Sequence, residues 1–183
     1  GADTHETERR LTGKLQAMMS DPPNRGRVIW LLVTARIHQL SPDLRRPGRV
    51  GDLIIPILDP EGEDREAFLR WVVKSVLAQE LTAEELKTLD AATRGYSAAS
   101  FSSLRSELKA KAKRSGGTLD LKQIQAVVQD QLPPAIEEAR RFQTLQALVN
   151  CTRRSLLPDP QVTDAQRKQW EAELRLLSAS GVR

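Results

Sequence analysis

Apolar residues recur every three or four positions over most of the chain, as they do along helices that bury one face. Capping and breaking residues bound each of these stretches, so their approximate starts and ends can be set. The pattern predicts helices over residues 5–20, 59–77, 82–94, 97–114, 120–132, 135–157 and 163–178. The sequence therefore predicts a mainly α protein.

The predicted helix ends rest on recognisable end signals. Thr82 and Thr163 are each followed three residues later by Glu or Gln. This is the spacing of a capping box, in which the two side chains satisfy free backbone N–H groups. Gly95 is a helix-stop residue. The pair Pro133 and Pro134 is expected to stop the helix before it.

Two short apolar runs, residues 28–33 and 53–58, depart from the helical pattern and predict strands. The first run is continuously apolar, as in a strand covered on both faces. Pro56 confines the second to an edge or a strand end. The connection of about 18 residues is long enough for a parallel crossover. Because buried strands need partners for their N–H and C=O groups, we expect direct parallel pairing, alone or extended across a dimer.

Composition supports neither a nucleic-acid-binding nor a membrane-spanning role. Hydrophobic residues make up 39% and charged residues 28% of the 183 positions, which is ordinary for a globular chain with a core. The net charge of +4 is mild, and aromatic residues at 4% are too scarce for a base-stacking surface. Nucleic-acid binding is therefore not supported. The longest apolar run is far shorter than the roughly 20 residues that cross a membrane.

Cysteine and histidine offer no candidate chemistry of their own. Cys151 is the single cysteine, which excludes an internal disulfide and suits a reducing cytoplasm. His5 and His38 stand alone without the spacing of metal ligands, so no metal site is predicted. His38 is expected on the surface of a loop. Cys151 is expected to be a buried structural thiol.

Residues 34–49 carry the most specific pattern in the chain, a Ser-Pro turn followed by an Arg-Arg-Pro-Gly-Arg segment. The stretch resembles the second region of homology of AAA ATPases, which runs roughly A-T-N-R-P-x-x-L-D-P-A-L-x-R-P-G-R. The positions in register are Thr34, Arg36, Leu40, Pro42, Leu44, Arg46, Pro47, Gly48 and Arg49.

A second stretch, residues 89–101, resembles the helical lid of the same family, which reads L-A-x-x-T-x-G-F-S-G-A-D-L there. The two resemblances cover about residues 5–130. They imply the end of a nucleotide-binding domain with a small parallel β remnant, followed by a helical-bundle lid and C-terminal helices. The implied divisions are a partial αβ subdomain at 1–60, a lid at 61–132 and a helical extension at 133–183.

The resemblance assigns Arg46 and Arg49 to the arginine-finger positions, which act on the nucleotide of a neighbouring subunit. A guanidinium suits this role because it is planar, always ionised and able to bind the charge that builds on phosphate oxygens. From spacing alone, the two arginines are better explained as surface charges of a solvated basic loop, and it is the flanking pattern of the resemblance that favours the finger role. Arg45 falls at a variable position of the family and is left out of the site.

Three further positions are weakly implied as nucleotide-binding. Thr34 lies on the sensor strand, and Ala98 and Ala99 lie where the family's lid backbone approaches adenine. The sequence also departs from the family, which has Asn, Asp and Arg at the positions of Ala35, Gly51 and Asp52.

The implied function is that of the C-terminal portion of an AAA-type ATPase, which remodels a protein or a complex as a homo-oligomeric ring in the cytoplasm. ATP and Mg²⁺ are expected for the full-length parent. The chain alone is predicted not to hydrolyse ATP, since it contains no phosphate loop and no apolar strand ending in Asp-Glu. The alternative is a non-catalytic helical interaction module on an AAA-derived scaffold. Ala35 favours this alternative, because it lacks the polar group of the family's sensor.

Overall fold

The structure is a computed structural model that describes residues 2–132 and 135–182, with side chains from residue 10 onward. In those residues the chain forms seven α-helices: α1 Ala2–Ser20, α2 Gly62–Val73, α3 Ala83–Ala92, α4 Ala98–Arg114, α5 Leu121–Asp130, α6 Glu137–Asn150 and α7 Asp164–Ala179. Short 3-10 turns lie at Pro22–Asn24, Ile37–Gln39 and Arg154–Leu156. The predicted mainly α class is confirmed. Pro133 and Pro134, the predicted stop after α5, lie outside the described residues.

Local end signals place several helix boundaries well. The Thr82 hydroxyl accepts from the Glu85 N–H at 3.3 Å, and the Glu85 carboxylate accepts from the Thr82 N–H at 2.8 Å. The box at Thr163 is also formed. Gly95 has a φ of +80°, which a glycine adopts without strain. Both predicted capping boxes and the glycine stop are therefore confirmed.

The predicted β remnant is wrong. No strand occurs within residues 2–132 or 135–182. In the second run, the Ile54 N–H donates to the Thr152 hydroxyl at 3.0 Å, and the Thr152 N–H donates to the Ile54 carbonyl at 3.4 Å. Pro56 has no N–H to offer a neighbour. Without a ladder between them, residues 28–33 and 53–58 remain irregular segments.

The described residues fall into two compact units, one within Asp59–Ala135 and one within Gly1–Leu58 and Ile136–Arg183. We call them the helical unit and the split unit. Helices α2 to α5 form the helical unit, and α1, α6 and α7 belong to the split unit. The assignment of a subdomain, a lid and an extension to residues 1–60, 61–132 and 133–183 stays a prediction.

The core of the helical unit is built from the apolar stripes that the sequence displays. Val72, Leu86, Leu89 and Leu104 are buried as predicted, and Phe68 packs against them while partly exposed. The bulkiest buried side chains are Phe101, Leu69, Leu89, Leu104, Leu108 and Ile124. This core is therefore local to residues 59–135.

Arg65 fastens the start of α2 to the end of α3. It pairs with the Asp90 carboxylate and donates to the Asp90 carbonyl at 2.9 Å and to the Thr93 hydroxyl at 3.0 Å. Its guanidinium carbon lies 5.4 Å from the centroid of the Phe101 ring. Thr93 is fully buried. The Thr93 hydroxyl also donates to the Leu89 carbonyl at 2.8 Å, so this buried polar group both donates and accepts a hydrogen bond.

The split unit is centred on the packing of α6 against α7. Leu145 and Leu148 of α6 are buried, as are Leu157 and Val162 in the link that follows. Trp170 of α7 packs against this cluster. Helix α6 ends at Asn150 rather than near residue 157, because the chain after it turns to bond Ile54.

Candidate functional site

The candidate site is the arginine loop, residues 41–52. It opens with the Ser-Pro turn: the Asp43 N–H donates to the Ser41 hydroxyl at 3.2 Å, and the Leu44 N–H donates to the Ser41 carbonyl at 3.0 Å. Leu44 is buried at 4% exposure and anchors the turn in the split unit. The loop is thus held at its start by both hydrogen bonds and packing.

Arg46 and Arg49 meet at Asp43. The Arg46 Nε lies 3.2 Å from the Asp43 carboxylate, and an Arg49 guanidinium nitrogen donates to the Asp43 carbonyl at 3.0 Å. The Arg49 N–H also donates to the Arg46 carbonyl at 3.3 Å, which closes the turn through Pro47 and Gly48. The Arg46 side chain is 71% exposed. The structure therefore brings the two predicted finger residues together on one tight turn.

The two departures from the family pattern at the end of the loop have a structural role. Both carboxylate oxygens of Asp52 accept from the Gly48 N–H, at 3.0 and 2.9 Å. Gly48 has a φ of +83°, so the turn requires glycine there. At Gly51, an added Cβ would lie 1.8 Å from the Arg45 carbonyl oxygen. Asp52 and Gly51 therefore make the turn compact.

Arg45 faces the protein rather than solvent. One of its guanidinium nitrogens donates to the Asn150 side-chain oxygen at 3.4 Å, which ties the loop to α6. His38 is half-buried, with its ring 5.2 Å from Phe142 in an edge-on arrangement. Burial, then the charges of Arg36 and Arg45, lower the pKa of His38. The prediction that His38 lies on the surface is wrong, because the Phe142 ring packs against the His38 ring.

Thr34 is engaged in a local contact. Its hydroxyl oxygen accepts from the Arg36 N–H at 2.9 Å. Ala35 between them is exposed. The hydroxyl of this weakly implied nucleotide-binding residue thus has a backbone donor as its neighbour.

Ala98 and Ala99 open α4 in the helical unit, and both are exposed. Ser97 caps the helix, since its hydroxyl accepts from the N–H three residues on at 3.1 Å. Elsewhere on this unit, the Arg105 guanidinium carbon lies 4.4 Å from the centroid of the Trp71 ring. The two alanines belong to a different compact unit from the arginine loop.

The described residues contain no metal-binding cluster and no helix suited to crossing a membrane. No group of three His, Cys, Asp or Glu side chains there is placed to hold a metal ion. None of the described helices has the length and hydropathy needed to cross a bilayer. The side chain of His5 lies outside the described part.

Comparison with known proteins finds relatives for about three fifths of the chain. It is 36% identical over 112 residues to Protein CdcH of Halobacterium salinarum, which is 61% of this chain and 15% of that protein. It is 37% identical over 105 residues to the Cell division cycle protein 48 homolog of Archaeoglobus fulgidus, 57% of this chain and 14% of that protein. Protein SAV of Sulfolobus acidocaldarius is 31% identical over 105 residues, 57% of this chain and 13% of that protein.

The chain is related to Cdc48-type proteins over that part of its length. The matched part makes up only 13% to 15% of these proteins, so their activities belong to much longer chains. No family model matches the chain. No solved structure matches it either.

Proposed function

We propose that this chain is the C-terminal portion of an AAA-type ATPase that remodels a protein or a complex. The arginine loop carries the proposal, since two guanidinium groups share one short, braced turn. The relationship to Cdc48-type proteins supports the same assignment. ATP is the substrate of the full-length protein. Mg²⁺ is assigned no ligand among the described residues of this chain.

Arg46 and Arg49 would act on the nucleotide of a neighbouring subunit. During phosphoryl transfer, negative charge spreads over the phosphate oxygens, and a guanidinium placed there stabilises the transition state. The Arg46–Asp43 pair is exposed, and exposed ion pairs contribute about 0–1 kcal/mol. Arg46 can therefore exchange Asp43 for a phosphate with little loss of free energy, and until then the ion pair fixes the position of its guanidinium group.

A ring follows from this chemistry. A residue that completes its neighbour's site makes a head-to-tail contact, and such contacts generate closed rings when the rotation closes. The proposed assembly is therefore a homo-oligomeric ring. Ala98 and Ala99 are kept as lid positions next to the adenine, since both are exposed at the start of α4.

The test is substitution of each arginine in the complete ATPase. Arg46→Ala or Arg49→Ala should lower kcat by on the order of 10³-fold and leave nucleotide affinity nearly unchanged, because the contact forms mainly in the transition state. Arg25→Ala, at an exposed arginine outside the loop, is the control. Mixing arginine variants with phosphate-loop variants should restore activity, because the finger acts in trans. Unchanged turnover in both arginine variants would reduce them to surface charges.

A second candidate function is a non-catalytic interaction module on the same scaffold. Ala35 has no polar group, and the Thr34 hydroxyl already accepts from a backbone N–H. The two residues are therefore a poor substitute for the polar sensor residue of the family. Titration of the 183-residue chain with Mg-ATP bears on both candidates. We expect no binding tighter than about 100 μM. Tighter binding would contradict the assignment of the phosphate site to another part of the ATPase.

A further inference from the structure

The arginine loop has a neck at which its two ends meet. The Gly51 backbone approaches Arg45 so closely that an added Cβ would lie 1.8 Å from the Arg45 carbonyl oxygen. Gly51 is buried and Arg45 is half-buried, whereas the turn between them, residues 46–48, is exposed. The neck is therefore the base from which the turn with the two predicted finger residues extends into solvent.

Asn150, the last residue of α6, holds one side of the neck. A guanidinium nitrogen of Arg45 donates to the Asn150 side-chain oxygen at 3.4 Å. The Asn150 amide nitrogen donates to the carbonyl and to the side-chain oxygen of Gln146, at 2.8 and 3.3 Å, so its oxygen is left to face Arg45. Within the described part of the chain, the buried Nε of Arg45 has no acceptor. The bond to Asn150 therefore fixes this guanidinium group.

Thr152 holds the other side of the neck, two residues further along the chain. Its hydroxyl donates to the Asp52 carbonyl at 3.5 Å and accepts from the Ile54 N–H at 3.0 Å. Its N–H donates to the Ile54 carbonyl at 3.4 Å. The Asp52 carboxylate in turn accepts from the Gly48 N–H. Thr152 is thus connected to the turn through a single residue, Asp52.

We propose that residues 150–152, which we call the clasp, position the turn of Arg46 and Arg49 against the nucleotide of the neighbouring subunit. Asn150 and Thr152 are the positioning residues, and both act through the arginines rather than on the nucleotide itself. This role rests on the proposed function of the two arginines as fingers. It gives the C-terminal segment a part in ATP hydrolysis, although that segment lies about 100 positions after the arginine loop.

The clasp supplies a constraint that the loop cannot supply by itself. Asp43 fixes Arg46 and Arg49 relative to each other, because both bond to it. Buried Leu44 anchors the start of the loop, but apolar contacts are not directional. The hydrogen bonds to the clasp hold both ends of the loop and so set its orientation. Orientation matters here because a displacement of about 1 Å in a catalytic group can cost on the order of 10²-fold in rate.

The test is ATP hydrolysis by the complete ATPase. Asn150→Ala and Thr152→Val should each lower kcat by about 10- to 100-fold and leave the KM for ATP within about twofold, because the arginine contacts form mainly in the transition state. Thr152→Ser keeps the hydroxyl and should retain most of the rate. Thr144→Val is the matched control, since the Thr144 hydroxyl donates to the Arg140 carbonyl within α6 at 3.0 Å, and it should leave kcat unchanged.

A double-mutant cycle separates positioning from a general structural role. In a background with both Arg46→Ala and Arg49→Ala, Asn150→Ala should lower kcat by less than about twofold, because the groups that it positions are absent. A further loss as large as in the unaltered ATPase, or full kcat in both clasp variants beside impaired arginine variants, would overturn the positioning role and leave the proposed function standing. Unchanged kcat in both arginine variants would instead overturn the proposed function, and the role of the clasp with it.

Discussion

The helical unit and the split unit differ in where along the sequence the hydrogen-bond partners of their segments lie. In the helical unit, helices bond their own backbones, the caps lie three residues from the groups they bind, and the core is drawn from one stretch of sequence. In the split unit, the arginine loop and residues 53–58 depend on Asn150 and Thr152, which lie about 100 positions away along the chain. The helices form their backbone hydrogen bonds within one stretch of sequence, whereas the extended segments need hydrogen-bond partners from a distant part of the chain.

This contrast matters for function because the candidate site lies in the split unit. The arginine loop is well braced inside, through Asp43 and Asp52, whereas the backbone of residues 29–33 before it makes no hydrogen bond within the described part of the chain. A braced loop and a backbone segment without hydrogen bonds therefore lie within about 20 residues of each other along the chain. We expect perturbations in the helical unit to act on stability alone, and those in the arginine loop of the split unit to act on activity as well.

The largest effect on stability is expected from the centre of the helical unit. Phe101 is fully buried between Phe68, Tyr96 and Arg65. Phe101→Ala should lower the free energy of unfolding by about 3–5 kcal/mol, since it leaves a cavity. Urea denaturation followed by circular dichroism measures the loss. Leu176→Ala, at a position 71% exposed, should cost less than about 0.5 kcal/mol. Similar losses in both variants would contradict a local core in the helical unit.

The same contrast explains which elements could be predicted from the sequence. Helix α4 was predicted from its serine cap and apolar stripe, because both signals lie within the segment. Helix α6 was predicted too long, since its apolar period continues past Asn150. Its end is set by Thr152 meeting Ile54, a contact between distant parts of the chain. The strands were wrong for the same reason: an apolar run shows strand propensity but does not supply a partner.

The candidate site was predictable only in part. The Arg46 and Arg49 positions came from a resemblance, and their roles stay predictions. The Asp43–Arg46 spacing of three residues was a visible signal for their bracing, since such residues are neighbours on a helical turn. The roles of Gly51 and Asp52 were missed, because a departure from a family pattern does not reveal which backbone group the new residue contacts.

A smaller effect is expected where the arginine loop closes on itself. Gly51→Ala would place a Cβ 1.8 Å from the Arg45 carbonyl, so the backbone must move. We expect a loss of about 1–3 kcal/mol in the split unit, as for other overpacked sites. Gly13→Ala is the matched control, because nothing lies within 4 Å of the added atom in α1. That control should stabilise the helix by up to about 1 kcal/mol. Equal stability of the two variants in thermal unfolding would argue against a tightly closed loop.

Helix caps provide a comparison in which the expected change in stability is smaller. Thr82 and Thr163 form equivalent capping boxes, one in each unit. Thr82→Ala and Thr163→Ala should each cost about 1 kcal/mol, because each leaves a helix-start N–H without its acceptor. Thr82→Ser and Thr163→Ser keep the acceptor and serve as controls. Hydrogen exchange should show that each alanine variant loosens only its own unit. Loosening of both units by one variant would contradict their independence.

The smallest effect is expected at the surface of the split unit, where Arg141 of α6 binds Glu173 of α7 through two hydrogen bonds of 2.7 Å. The hydrogen bonds from Arg141 lower the pKa of Glu173 below its usual value of 4.5. Because the folded-state pKa is lowered, the pair's contribution is fully present above the unfolded-state value. It is lost as the pH falls through the folded-state pKa. Both side chains are more than a third exposed, so solvent screening limits the contribution to at most about 0.5 kcal/mol.

Glu173→Gln should therefore lower stability slightly at pH 7, and the difference should disappear as the pH falls through the folded-state pKa of Glu173, measured by urea denaturation at a series of pH values. Glu171→Gln, two residues earlier on the same helix, removes the same charge without the two hydrogen bonds and should leave stability unchanged at pH 7. Helix α7 would then be held in place mainly by the burial of Trp170 beside Leu148 and Val162, and the ion pair would set its orientation on α6. A loss above about 1 kcal/mol at pH 7 would show instead that the pair is shielded from water and helps to hold α7 in place.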